Sequence, residues 1–120
     1  CVTCHQANGQ GLPAAGFPPL DGTRWVNGDQ ERLIKLTLNG LHGPIEVKGK
    51  QYPGFVPMTQ FRGLLNDEEL AAVLTYVRNA FGNQSSAITA PQVKSVRDAT
   101  AGKAGFWSPA ELDRLHPEAE

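Results

Sequence analysis

The sequence predicts a small all-α domain with long loops in its first half, one small β-hairpin and a helical extension at its C-terminal end. Three observations predict it. The chain has 120 residues and 12.9 kDa, one domain's worth. Its apolar residues recur at helical spacing behind recognisable helix caps rather than alternating as in strands. It also carries 13 Gly and 9 Pro, above the roughly 12% of ordinary usage. A chain this size hides roughly two-thirds of its extended surface on folding, so its core is thin.

The elements follow in order. Residues 6 to 27 are rich in Gly, Pro and Ala, with Asn8-Gly9-Gln10-Gly11-Leu12-Pro13 and Gly16-Phe17-Pro18-Pro19-Leu20-Asp21-Gly22. Residues before proline avoid the α region, so this stretch is expected to be an extended loop with turns. Asp29 is a good N-cap for a helix of about three turns that places Leu33, Ile34 and Leu38 on one face and stops at Asn39-Gly40. Ile45, Val47 and Tyr52 flank Lys48-Gly49-Lys50, the pattern of a small hairpin.

The strongest helix begins at Asn66, with Glu69 as its capping-box partner and Asp67 and Glu68 set against the helix dipole. Leu70, Val73, Leu74, Val77 and Phe81 follow at helical spacing, and Gly82-Asn83 is the expected stop. Gln84-Ser85-Ser86 reads as a linker. This divides the chain into a domain over residues 1–83 and an extension over 84–120. Within the extension, Pro91 to Thr100 is a candidate helix with Val93 and Val96 inward. Ser108-Pro109-Ala110-Glu111 is a second capping box, opening a helix through Leu115.

Eleven basic against twelve acidic residues give a net charge of −1, with no footprint for nucleic acid and no polybasic stretch for anionic lipid. No apolar run approaches the roughly 18 residues of a membrane span.

The chemistry opens the chain. Cys1-Val2-Thr3-Cys4-His5 matches Cys-x-x-Cys-His, the attachment signature of haem c, in which two sulfurs add across the porphyrin vinyl groups and the following His ligates the iron. A redox disulfide wants a strand ahead of the motif, and none precedes Cys1 in the sequence. A zinc site wants further ligands close together, and His42 and His116 are scattered. The expected cofactor is one haem c held through Cys1 and Cys4, with His5 on its iron.

The second axial ligand selects what the iron does. Met58 is the single methionine, in the loop Phe55-Val56-Pro57-Met58-Thr59-Gln60-Phe61 ahead of the long helix. A lone Met is by default core filler. The proline-flanked loop and the separation from His5, enough chain to wrap a haem, favour ligation. His42 and His116 are the rivals, each also read as a solvated histidine.

The order of Cys1-Val2-Thr3-Cys4-His5, Gly16-Phe17-Pro18-Pro19-Leu20, the Met58 loop and Leu70-Ala71-Ala72-Val73-Leu74-Thr75-Tyr76-Val77-Arg78 resembles the class I c-type cytochrome domains of bacteria, over residues 1 to about 83. Such domains occur free, or fused to periplasmic oxidoreductases and to planctomycete or verrucomicrobial membrane-bound proteins. The resemblance implies periplasmic electron transfer between redox proteins or to a fused catalytic domain. It also implies a proline carbonyl, from Pro18 or Pro19, accepting the free N–H of the ligand histidine. The family's usual helix ahead of the haem motif has no counterpart after Cys1. It lies upstream, or the extension replaces it over the Leu70 face. Thr59 stands where the family often has Pro after the ligand Met.

Arg24, Trp25 and Tyr52 can each donate to a carboxylate and are candidates for the haem propionates, with an ordinary surface or core role as the competing reading. Phe17, Leu20, Leu33, Phe55, Phe61 and Leu74 are candidates for the apolar haem pocket. The chemistry alternatives are a haem sensor or peroxidase-like enzyme with a displaceable distal ligand, and a bis-His cytochrome of low potential. Thioether attachment has a direct expectation. The mass of the unfolded protein should equal chain plus haem, and Cys1→Ala with Cys4→Ala should leave the bare chain; a bare wild-type mass would refute the motif assignment.

Overall fold

The computed structural model describes residues 2–54 and 56–117, so Cys1 and Phe55 lie outside the described residues. A one-turn helix, α1 (Val2–His5), leads into a loop that contains a turn of 3-10 helix at Pro13–Ala15. Next come α2 (Arg24–Asn27) and α3 (Gln30–Asn39), then strands β1 (Ile45–Val47) and β2 (Lys50–Tyr52). The chain closes with α4 (Asp67–Val77), α5 (Ala90–Ala99) and α6 (Pro109–Leu115). The two strands pair antiparallel, Ile45 opposite Tyr52 and Val47 opposite Lys50, around the Lys48-Gly49 turn. The architecture is therefore helical with one small hairpin. Among the described residues no helix is long and apolar enough to cross a membrane.

The helix starts follow from local chemistry. The Asp29 carboxylate accepts from the Arg32 N–H at 2.9 Å, and Asn66 exchanges hydrogen bonds with Glu69 in a reciprocal box. Thr89 with Gln92 and Ser108 with Glu111 form two more such boxes, each followed by proline in the first turn.

Two expectations are corrected. The loop expected to run to Asn27 gives way to α2, because Thr23 caps it by accepting from the Trp25 N–H and no proline lies between Pro19 and Asn27 to forbid helix. The long helix stops at Val77 rather than running to Phe81. Asn83 Nδ2 donates to the Val77 carbonyl at 2.8 Å, and the buried Arg78 guanidinium donates to the Val26 carbonyl at 2.7 Å and the Ser86 carbonyl at 2.8 Å. These side chains take over the end of the helix, and Phe81 sits beyond it at φ +58°.

One hydrophobic core runs through the described chain. Leu33, Ile34 and Leu38 of α3 meet Leu70, Leu74 and Val77 of α4, and Val93 and Val96 of α5, with Trp107 and Leu112 closing one side. Helix α5 packs against both α3 and α4. Leu112 is fully buried, while Leu115 of the same helix is 48% exposed. Leu112→Ala should therefore cost about 2–5 kcal/mol in urea unfolding of the haem-loaded protein, and Leu115→Ala about 0.5 kcal/mol or less. Equal, small effects would mean that α6 adds nothing to the core.

Candidate functional site

Helix α1 ends on His5, and the loop after it folds back on itself. Leu12 and Phe17 pair as an isolated bridge, with the Leu12 N–H donating to the Phe17 carbonyl at 2.8 Å. This reversal brings the Pro18 carbonyl to 2.6 Å from His5 Nδ1. A carbonyl can only accept, so Nδ1 carries the proton and Nε2 is left with a free lone pair. Gly11 makes the approach feasible. It sits at φ +69°, and a Cβ there would meet the Phe17 and Pro18 carbonyl oxygens. Burial holds the His5 imidazole below its ordinary pKa, with the Pro18 bond pulling the other way, so the ring is neutral at neutral pH.

His5 forms part of the wall of a cavity of about 350 Å³ that also carries Cys4, Phe17, Pro18, Tyr52, Met58 and Phe61. Met58 reaches it from a loop anchored on the far side, its N–H donating to the Leu41 carbonyl at 2.8 Å. The hairpin forms another wall through Ile45 and Tyr52. Tyr52 is buried, and burial raises its pKa, which keeps the phenol protonated and a donor across the neutral range. A larger groove of about 540 Å³ lies between Gln6-Ala7 and α4, lined by Leu20, Val73, Tyr76 and Phe81. It holds no imidazole, thiol or thioether, so the smaller cavity is the chemical site.

Of the remaining candidates, those among the described residues are not brought there. Pro18, and not Pro19, supplies the acceptor for His5. Leu20 packs against the core and lines the outer groove, and Leu33 and Leu74 are core residues of α3 and α4. Arg24 is committed elsewhere, its two terminal nitrogens donating to the Asp113 carboxylate at 2.9 and 3.1 Å. Trp25 lies between the Arg24 and Arg32 guanidinium groups, 4.4 and 4.5 Å from its ring centre, and its indole N–H donates to the Glu46 carbonyl at 3.1 Å. Two of the three donors proposed for the propionates, Arg24 and Trp25, are thus engaged with α6 and β1.

His42 is exposed, edge-on to Phe106, and His116 caps α6 between Lys35 and Asp29. Neither lines the cavity. Among the described residues no cluster of three or more His, Cys, Asp or Glu is placed to hold a metal ion. Sequence reading missed Leu41, Ile45 and Val56 as wall residues. The strand alternation marked Ile45 as core, and nothing in the local sequence distinguishes Leu41.

The cytochrome c family model matches residues 1–81. The chain belongs to the cytochrome c family. Cytochrome c-552 of Thermus thermophilus is 44% identical over 106 residues, covering 81% of this chain and 78% of the relative. The fructose dehydrogenase cytochrome subunit of Gluconobacter japonicus is 31% identical over 98 residues, covering 81% of this chain and 20% of that subunit. The gluconate 2-dehydrogenase cytochrome c subunit of Pantoea cypripedii is 34% identical over 103 residues, covering 81% of this chain and 22% of that subunit. This chain thus spans about a fifth of the dehydrogenase subunits it matches.

As a family member, this cytochrome c binds haem c covalently and carries single electrons. The residues present fit that group: a thiol, an imidazole with its tautomer already fixed and a thioether stand on the walls of one apolar cavity. The fit depends on Gly11. Gly11→Ala should destabilise the loaded cytochrome by about 1 kcal/mol or more and shift its reduction potential. Gly63→Ala, with open space around the new methyl group, should do neither. An unshifted potential in Gly11→Ala would refute the role given to the Pro18 contact.

Proposed function

We propose that the cytochrome is a single-haem electron carrier whose iron takes His5 Nε2 and the Met58 thioether as axial ligands, with Cys1 and Cys4 making the thioether links. The observation that carries this reading is the 2.6 Å contact from His5 Nδ1 to the Pro18 carbonyl, which leaves only Nε2 free to bind metal. When bound, the haem supplies an iron that exchanges one electron between its ferric and ferrous states.

The chain's own residues set the conditions for that exchange. The Pro18 carbonyl fixes the imidazole ring and increases its basicity as a ligand. A thioether at Met58 favours ferrous iron and raises the potential. Phe17, Ile45 and Phe61 exclude water from the walls and keep the dielectric low. With Arg24 and Trp25 consumed elsewhere, the Tyr52 hydroxyl is the remaining named donor for the haem carboxylates. The domain is not by itself an enzyme in this reading, because two protein ligands leave the iron no open position for a substrate.

The partner is another redox protein or a catalytic domain joined to this one, on the extracytoplasmic side of a bacterial membrane. The dehydrogenase cytochrome subunits among its relatives support that class of partner. Val56, 61% exposed, borders the cavity, and Leu12, 47% exposed, pairs with the wall residue Phe17. With a net charge of −1, docking through this apolar edge should depend only weakly on salt.

The ferric protein should show the far-red thioether-to-iron charge-transfer band, and Met58→Ala should abolish it while His42→Ala and His116→Ala leave it intact. Rapid carbon monoxide binding to the ferrous wild type would overturn the assignment in favour of an open, sensor-like or peroxidase-like iron.

A further inference from the structure

We propose that residues 97–107, at the C-terminal side of the fold, brace the Met58 loop from behind and so hold the axial methionine in place. The proposal rests on the reading of Met58 as a ligand and assigns Arg62, Arg97, Thr100 and Trp107 as positioning residues.

The Met58 loop lies along the C-terminal end of α3. The N–H groups of Phe61 and Arg62 donate to the Thr37 and Leu38 carbonyls at 3.1 and 2.9 Å, using acceptors that the helix end leaves open. The Met58 N–H donates to the Leu41 carbonyl. The segment from Gly40 to His42 is held in turn from its other side. The Trp107 N–H donates to the Gly40 carbonyl at 3.1 Å, and the His42 N–H to the Trp107 carbonyl at 2.9 Å, making a short parallel bridge. Gly40 is the hinge of this sandwich, at φ +77°, where a Cβ would meet both the Met58 carbonyl oxygen and the Phe106 ring.

A second set of bonds closes the loop's far end. Arg62 donates to the Arg97 carbonyl at 3.1 Å, and Arg97 donates to the Arg62 carbonyl at 2.7 Å, a reciprocal clasp between loop and α5. Arg97 adds bonds to the Leu65 carbonyl and the Asp67 carboxylate, both at 2.8 Å. Arg62 adds the Thr100 hydroxyl at 2.6 Å and Asn39 Oδ1 at 2.8 Å. Asn39 then donates to the Lys103 and Gly105 carbonyls. Two guanidinium groups this close repel, and the carbonyls and Asp67 that surround them offset the repulsion.

Removing Met58 from the cavity requires the loop to swing away, which breaks these bonds together. The equilibrium between closed and open loop therefore carries the strength of the brace. A ligand that competes for the iron binds only the open state, so its apparent affinity reports the brace directly.

Imidazole titration of the ferric holoprotein, followed by the far-red band, tests this. Thr100→Val, which removes one hydroxyl acceptor from Arg62, should raise imidazole affinity by about tenfold, and Arg97→Gln by more. Lys94→Ala, which removes an exposed ion pair with Asp98 on the same helix, should leave it unchanged. In the wild type, the Met58 and Trp107 amides should exchange hydrogen as one unit, within about threefold of each other, because they open together.

Unchanged imidazole affinity in both variants, with a wild-type band present, overturns the brace and leaves the ligand reading standing. A Met58 amide that exchanges far faster than Trp107 does the same even if neither variant folds. A wild-type protein without the band overturns the ligand reading itself, and the brace as a device for the axial methionine falls with it.

Discussion

The hydrogen bond from His5 Nδ1 to the Pro18 carbonyl makes a demand on the rest of the chain. A backbone oxygen thirteen residues away must sit at 2.6 Å from a side chain on a one-turn helix that is too short to hold itself. The loop meets that demand through a succession of bonds. The Gly11 N–H donates to the His5 carbonyl, Leu12 and Phe17 pair, and the Leu20 N–H donates to the Gly9 carbonyl at 2.7 Å. Asn83 then fastens the loop to the body by accepting from the Gly22 N–H and donating to the Leu20 carbonyl. Because the same Asn83 amide caps the Val77 carbonyl, the early end of α4 and the posture of the haem-side histidine are one structural event.

The features legible in the sequence are those whose physics is local. Cys1-x-x-Cys4-His5 is set by the dimensions of a porphyrin, and the boxes at Asn66 and Ser108 are closed within four residues. Each reads correctly because its partners are neighbours in the chain. Arg24 and Trp25 illustrate the opposite case, with partners far along the chain. Arg24 has the right donors for a carboxylate and finds one, but it belongs to Asp113, 89 residues on. No local pattern tells a haem carboxylate from a protein carboxylate. Met58 lies between these cases. Its loop setting was visible, while the Leu41 carbonyl that anchors it was not, because Leu41 is one apolar residue after a helix stop with nothing to mark its role.

The arginines explain why a thin core suffices. Arg78, almost fully buried, replaces apolar packing with a fan of bonds to the Val26, Gly28 and Ser86 carbonyls, and the fully buried Arg32 donates to the Arg24 carbonyl and faces the Asp113 carboxylate. A buried guanidinium is costly unless its donors find acceptors. Here the acceptors are carbonyls at the ends of α2 and in the Ser86 region, which helix termini and loops leave open. Short helices and many loops produce an excess of such carbonyls, and the arginines consume them. The surplus of glycine and proline and the buried arginines are thus two sides of one solution.

That solution also keeps charge out of the cavity. Asp113 draws Arg24 and Arg32 around Trp25, and Trp25 passes the support to β1 through the Glu46 carbonyl, one residue from the wall residue Ile45. The hairpin wall is therefore stiffened by a polar cluster that does not line the cavity. On the opposite side, Arg62 and Arg97 brace the Met58 loop without lining the cavity. Had any of these guanidinium groups entered the cavity, its charge would act on a bound iron through a low dielectric and compete with the proposed axial ligands for control of the potential. With them turned outward, control in the proposed ligation would fall to what the cavity holds: an imidazole bonded to the Pro18 carbonyl, a thioether, and apolar walls.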